Sequence, residues 1–324
     1  MNKLHYTYIR VQRGAAAFLD AGGGVFPGSG LKHDIGLTAW SSRKGCSDRI
    51  MADFKKSSVH CHSTMCDGKN TLQEMASAAC AQGLETLGFT GHSHTPCDRE
   101  YCMTPSRTAQ YKATIATLKA EYKGKVDILC GLEWDLFSDD KRTGYDYWIG
   151  GVHYLHGEKT GRYYEIDFRP QDLRECIDAD FGGDALAAVE AYFAQVAQLA
   201  ALHPDILAHV DLIKKLNGNG EFFDENSPRY QAAALSALEA AHKADCLLEI
   251  NTGAVNRGYR KDFYPGPWLL SQWHKMGGKV IITADAHAHD GLTFAFDEAA
   301  QAARDAGFDS VQVLTGHGFE TQAL

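Results

Sequence analysis

From Ser57 onward the chain alternates short apolar runs with longer amphipathic stretches, and this rhythm constrains the fold more than any other feature. The short runs have the length and composition of strands, and the longer ones have the periodicity of helices. Strands that alternate with helices over about 260 residues predict a (β/α) barrel or a doubly wound sheet. The predicted strands are Ser58–His62, Thr86–Thr90, Val126–Leu132, Tyr147–Val152, Ile206–Val210, Cys246–Asn251, Lys279–Thr283 and Ser310–Leu314. The predicted helices are Leu72–Gln82, Ser106–Tyr122, Asp184–Leu202, Pro228–Lys243, Pro267–Met276 and Phe294–Ala306.

The first 52 residues do not share this rhythm. They include AAAFLDAGGGVFPGSG and have neither a sustained helical or strand period nor the features of a secretory signal. We therefore expect residues 1–52 to be an N-terminal extension that is poorly ordered or reflects a mis-assigned start, with Met51 as the native initiator. A single domain should follow at residues 53–324.

Composition narrows the class of function. The formal net charge of -9 argues against a general nucleic-acid binder, which normally has a basic surface. The longest apolar runs are far too short to span a bilayer, so we expect no membrane role. The nine cysteines include no CxxC pair, and an odd count does not suit a disulfide framework. This cysteine usage predicts a reducing, cytoplasmic location.

Polar residues of the kind that bind metals follow nearly every predicted strand. Because the carboxyl ends of the strands of a barrel meet at one rim, these residues would converge there, whereas an open sheet would spread them along a line. The pattern therefore favours a barrel. The candidate ligands at strand ends are His60, His62, His92, Glu133, His153, His209, Asp285 and His287, and Asp67 lies in a tight loop after the first strand.

His60 and His62 are separated by one residue, so in a strand both imidazoles point to the same face and can reach one metal ion. Asp285 and His287 have the same spacing. A mononuclear zinc site takes three or four protein ligands, so nine candidates predict two or three divalent ions. Imidazole and carboxylate ligands suit Zn, Mn or Fe. Cys61 lies between two better ligands and should point to the other side of its strand.

Seven segments together resemble the PHP (polymerase and histidinol phosphatase) domain family, and within it the histidinol-phosphatase branch. They occur in the order of that family and extend over about four-fifths of the chain. The segments are VHCHSTMCDGKNT, LGFTGHSH, LCGLEWD, YWIGGVHYL, ILAHVDLIKKLN, LLEINTGAVNRG and VIITADAH.

The resemblance implies an α/β fold, a distorted (β/α)7 TIM-like barrel of the PHP type, with three bound metals. It implies three ligand sets, namely His60, His62, Glu133 and Asp285; the bridging Glu133 with His153 and His209; and Asp67, His92 and His287. It also implies catalysis by His60, His62, Glu133, Asp285 and His287. Gly91 stands where relatives often have an acidic residue.

The implied activity is hydrolysis of a small phosphate monoester, L-histidinol phosphate in histidine biosynthesis, by a metal-activated hydroxide. Arg257 is the first candidate for phosphate binding because a guanidinium meets two phosphate oxygens at once. Arg260 is the second candidate, and Asn251 ends a strand at the same rim. Asp167 is a candidate partner for the amino end of the substrate.

Two other readings stay open. A PHP phosphoesterase could act on another small ester or on nucleic acid, although the chain lacks interleaved aromatic and basic residues. An amidohydrolase-type barrel also uses two histidines on its first strand, but that superfamily often has a bridging modified lysine on the fourth strand, and YDYWIGGVH contains none.

Overall fold

A computed structural model describes residues 53–98 and 100–324. The strands in this part of the chain are β1 (Ser57–Ser58), β2 (Thr86–Phe89), β3 (Asp127–Cys130), β4 (Glu133–Asp135), β5 (Ile149–Gly151), β6 (Tyr154–His156), β7 (Tyr163–Glu165), β8 (Ile206–Leu207), β9 (Leu247–Asn251), β10 (Lys279–Thr283), β11 (Ser310–Thr315) and β12 (Gly318–Ala323). The helices are α1 (Leu72–Ala81), α2 (Pro105–Glu121), α3 (Pro170–Phe181), α4 (Ala185–Ala200), α5 (Pro228–Lys243), α6 (Gly253–Asn256), α7 (Pro267–Lys275) and α8 (Phe296–Ala306). The expectation for residues 1–52 lies outside the described residues.

Two sheets form the barrel. Parallel strands β1, β2 and β3 form the first sheet, and the second runs in the order β12-β11-β10-β9-β8-β5-β4. Only β12 is antiparallel within the second sheet. Isolated parallel bridges join the sheets between Cys61 and Ala286 and between His92 and Glu133. The predicted distorted TIM-like barrel is confirmed. One bridge joins two candidate metal ligands, His92 and Glu133, and the other lies next to candidate ligands in the sequence.

The helices begin where local chemistry indicates. Thr71 caps α1 through a reciprocal capping box with Glu74, and Ser227 caps α5 directly before Pro228. These caps satisfy backbone N–H groups that have no partner within the helix.

The single strand predicted over Val126–Leu132 is divided in the structure. β3 pairs with β2, whereas β4 pairs with β5, and Gly131 lies between them. A Cβ at Gly131 would lie 2.5 Å from Cζ of Tyr147, so the chain changes sheets where only glycine leaves room for that ring. Sequence reading also missed the hairpin of β6 and β7, helix α3 and the last strand β12.

The barrel interior is closed beneath the rim by apolar side chains. The cluster consists of Val59, Tyr147, Ile149, Ile206, Ala208, Leu247, Ile281 and Leu314. The Tyr147 hydroxyl donates a hydrogen bond of 2.6 Å to the Val59 carbonyl, which ties the segment before β5 to the segment after β1. A filled interior confines polar chemistry to the carboxyl ends of the strands.

Candidate metal centre

All nine predicted ligands come together at the carboxyl rim of the barrel. Within each of three overlapping groups, one ligand atom per residue lies within 4.8 Å of all the others. The groups are His62, Asp67, His92 and His287; His60, His62 and Asp285; and His92, Glu133 and His153. His209 joins the cluster through its Nε2, which lies 2.9 Å from Oε1 of Glu133.

Glu133 lies at the centre of the cluster and is 1% exposed. Its Oε2 lies 3.0 Å from Nδ1 of His92 and 3.4 Å from the Nε2 atoms of His60 and His62. Its Oε1 faces the Nε2 atoms of His153, at 3.3 Å, and His209. Because its two oxygens face different histidines, this carboxylate can bridge two cations.

Several buried polar atoms of the cluster have no hydrogen-bond partner in the described part of the chain. They are Nε2 of His60, Nε2 of His62, Oε2 of Glu133 and Nδ1 of His209. A buried polar atom without a partner is costly, and most such atoms are satisfied by protein, water or an ion. Nitrogen and carboxylate oxygen form the donor set that zinc and similar divalent cations prefer. The residues therefore fit a metal centre.

Mutual electrostatics keep the carboxylates ionised. Burial alone would raise the pKa of Glu133, but His92 and His60 hold it well below its usual range. Burial likewise acts to raise the pKa of Asp285, whereas Arg257 and His60 lower it strongly. Burial, together with His287 and His92, lowers the pKa of His62 to about 3, so this imidazole is neutral and available as a ligand.

Two buried carboxylates that sequence reading did not assign orient these ligands. Glu249 lies 2.5 Å from Nδ1 of His60 and accepts a 2.9 Å hydrogen bond from the backbone N–H of His209. Asp135 contacts Nδ1 of His153 at 3.2 Å and accepts from its backbone N–H at 3.0 Å. In both pairs the carboxylate takes Nδ1 and leaves Nε2 directed at the cluster, as in carboxylate–histidine–metal triads. The signal was present in LLEIN and LEWD, where acidic residues interrupt buried strands.

A cavity of about 410 Å³ opens above the cluster. Candidate metal ligands form its floor, where the Tyr101 ring lies 5.0 Å from the His92 ring. Glu100, Phe168, Lys215 and Tyr259 line its mouth. Phe168 and Tyr259 are each 53% exposed, which is unusual for large aromatic residues and places apolar surface at the entrance.

Comparison with known proteins identifies the family. The PHP domain model matches residues 58–253. The chain belongs to the PHP domain family. The probable histidinol-phosphatase of Deinococcus radiodurans is 30% identical over 265 residues, which cover 76% of this chain and 92% of that relative. The histidinol-phosphatase of Bacillus subtilis is 25% identical over 269 residues, which cover 75% of this chain and 98% of that relative. The predicted resemblance to the histidinol-phosphatase branch is confirmed.

A solved PHP relative shares the fold. Histidinol phosphate phosphatase from Lactococcus lactis, solved with zinc, L-histidinol and phosphate, superposes with a TM-score of 0.60 at 20% identity. The match covers 82% of this chain and 99% of that one.

Of the predicted substrate-binding residues, some line the cavity and others do not. Arg257 lines the cavity, and its Nη2 donates to Oδ2 of Asp285 at 3.0 Å. Asp167 also lines the cavity and forms a 2.8 Å ion pair with Lys215. Asn251 is buried behind the ligands, where its Nδ2 donates to Glu249 at 2.9 Å.

The structure does not bring Arg260 to the cavity. Its Nη1 and Nη2 each lie 3.1 Å from a carboxylate oxygen of Glu225, and its Nε donates to Asp262 at 3.1 Å. Sequence spacing could not separate it from Arg257, because the chain turns at Gly258, whose φ is +76°.

Cys61 points away from the ligands, as its place between two strand histidines predicts. Its Sγ lies 3.3 Å from the Ser58 hydroxyl.

None of the helices in the described part of the chain has the length and apolarity that a bilayer crossing requires.

Proposed function

We propose that this PHP domain is a metal-dependent phosphomonoesterase that converts L-histidinol phosphate and water to L-histidinol and phosphate. The observation that carries the proposal is the buried carboxylate of Glu133 with five imidazoles around it, beneath a cavity of about 410 Å³. The names of the curated relatives support the choice of substrate.

We propose that three divalent cations, of Zn, Mn or Fe, occupy the centre. The three overlapping ligand groups support this number. When bound, such ions lower the pKa of water toward neutrality and offset negative charge on a phosphoryl group. The nine candidate ligands would hold them beneath the cavity, and neighbouring carboxylates fix the orientation of the rings. Among the nine, His60, His62, Glu133, Asp285 and His287 form the proposed catalytic set.

Arg257 is suited to bind the phosphate. Its guanidinium lines the cavity and contacts Asp285 and His287, both of which are candidate ligands. Burial would lower its pKa, but Asp285 raises it above the usual value, so Arg257 stays cationic. A fixed guanidinium beside a metal centre can align a phosphate through paired N–H donors.

The cavity mouth is suited to the other end of the substrate. Glu100 supplies negative charge there, Asp167 is paired with Lys215, and Phe168 and Tyr259 supply aromatic surface. Burial and neighbouring carboxylates, first of all Asp167, raise the pKa of Glu165 behind this mouth to about 7. An anionic, aromatic entrance favours a substrate with a planar or cationic group opposite its phosphate, as histidinol phosphate has.

Phosphate release is the direct test. Purified protein loaded with Mn, Zn or Fe would be assayed on L-histidinol phosphate, a panel of sugar phosphates and single-stranded DNA. We expect dominant activity on L-histidinol phosphate. Activity confined to DNA, or to amides with none on phosphate esters, would overturn the proposal.

A variant pair links the activity to the centre. Glu133→Gln should abolish turnover, because the bridging charge is lost, whereas Glu239→Gln on the exposed face of α5 should not change it. Full activity in Glu133→Gln would show that the chemistry occurs elsewhere.

The cytoplasmic location predicted from cysteine usage stays a prediction.

A further inference from the structure

A buried lysine lies behind the cavity, in the segment AHVDLIKK. Lys214 is 1% exposed, and its Nζ lies 2.8 Å from Oδ2 of Asp211 and 2.7 Å from Oδ2 of Asp262. The same Nζ donates to the carbonyl of Phe263 at 3.2 Å. A lysine ammonium is strongly hydrated, so complete burial requires this degree of pairing.

The pairs of Lys214 connect two loops. The histidine loop, residues 209–217, begins with the ligand His209 and contains Lys215 of the cavity mouth. The arginine loop, residues 252–266, contains Arg257 and Tyr259 of the cavity wall. Asp262 and Phe263 belong to the second loop, so Lys214 bonds across the boundary between the two.

Further contacts also join the histidine loop to the arginine loop. The backbone N–H of Gly266 donates to Asp211 at 2.8 Å, and Arg260 donates to the Lys214 carbonyl at 3.0 Å. Lys215 Nζ lies 4.9 Å from the centre of the Tyr259 ring. Arg260, which does not reach the cavity, thus takes part in joining the loops.

Stability alone is a poor reason for such a network. A buried ion pair often contributes less than an apolar replacement of the same volume, because desolvation offsets the attraction between the charges. What directional charge pairs do provide is one fixed geometry. Here that geometry is the position of one loop against the other.

We propose that Lys214 is a positioning residue whose ion pairs with Asp211 and Asp262 fix the arginine loop against the histidine loop and so set Arg257 for phosphate binding. The proposal rests on the proposed function in taking phosphate as the group bound at Arg257. Gly266 is part of the arrangement, because a Cβ there would lie 2.8 Å from Nζ of Lys214.

The test removes the three charges around Lys214 together. A triple variant, Lys214→Met with Asp211→Asn and Asp262→Asn, is close to the native volume, and Arg260, which loses its contact with the Asp262 carboxylate, keeps its pair with Glu225. Gly266→Ala is the second variant, which displaces the ammonium and keeps every charge. The control neutralises an exposed pair, Arg174→Met with Glu221→Gln, whose side chains are 55% and 57% exposed.

The readout is the dissociation constant of inorganic phosphate for the zinc-loaded protein, measured with each variant in the native background and in Arg257→Ala. In the native background we expect the triple variant and Gly266→Ala to weaken phosphate binding by about tenfold, with zinc content unchanged. In Arg257→Ala the same changes should have less than about a twofold effect, because changes that act through Arg257 are non-additive with its removal. The control should change neither value.

Equal losses in both backgrounds would show general destabilisation and overturn the proposal, as would no loss or a wild type that does not bind phosphate. A wild type that binds phosphate with this coupling, yet hydrolyses no phosphomonoester, would refute the proposed function and leave the positioning role of Lys214 standing.

Discussion

The carboxylate of Glu249 offers the sharpest test of how this centre is built. It is fully buried and accepts hydrogen bonds from the His209 backbone, at 2.9 Å, and the Asn251 side chain, at 2.9 Å. It also accepts from the Thr283 hydroxyl and contacts Nδ1 of His60 at 2.5 Å. Glu249→Gln keeps the shape of the side chain but replaces one acceptor oxygen with an NH₂ donor.

The expected magnitude follows from these contacts. If the NH₂ faces His209 and Asn251 it meets two N–H donors, and a buried donor left without an acceptor costs about 1–3 kcal/mol. If it faces His60 instead, Nδ1 loses the acceptor that leaves Nε2 directed at the cluster. Loss of the carboxylate partner of a metal-binding histidine typically lowers metal affinity by roughly 10- to 100-fold. That range corresponds to about 1.4–2.8 kcal/mol, which agrees with the hydrogen-bond cost.

Competitive zinc titration of apo protein against a chelator would measure the effect directly and without any need for activity. We expect the zinc site that contains His60 to lose affinity in Glu249→Gln by the range given above. Glu239→Gln makes the same chemical change on the exposed face of α5 and should match the wild type. A wild-type zinc affinity in Glu249→Gln would refute the view that this carboxylate orients His60.

Three further changes have distinct expected outcomes. Asp135→Asn should lower kcat by roughly tenfold or more in steady-state assays, because His153 loses the acceptor that directs its Nε2 to Glu133; an unchanged kcat would contradict this role. Arg257→Lys should raise the KM for L-histidinol phosphate by about tenfold, since a point charge replaces paired N–H donors; an unchanged KM would count against phosphate binding there. Glu165→Gln should raise the melting temperature at pH 8 and leave it unchanged at pH 4. The folded pKa of Glu165, about 7, lies above its ordinary value of 4.5, so the folded state loses stability as the pH rises from 4.5 to about 7, and the loss persists at pH 8; an equal gain at both pH values would contradict this account.

The sequence predicts the barrel and names the nine candidate ligands at its rim. Alternating runs from Ser57 onward predict the strands and helices, because burial imposes a period of two or 3.6 residues on the chain wherever a strand or helix packs. Candidate ligands such as His92 and His209 could be named because the first follows a predicted strand and the second lies near the end of another, and the barrel brings strand ends to one rim.

Contacts between distant segments depend on how the strands and helices pack, so they could be seen only in the folded structure. Glu249 and His60 are separated by 189 residues, and nothing in LLEIN states which histidine its carboxylate will meet. Arg257 and Arg260 look equivalent in VNRGYR, yet one enters the cavity and the other pairs with Glu225. A period along the chain fixes which face a side chain occupies, whereas its partner depends on how the elements pack. Candidate ligands could therefore be named from the sequence, whereas the partners of Glu249, Asp135 and Lys214 could not.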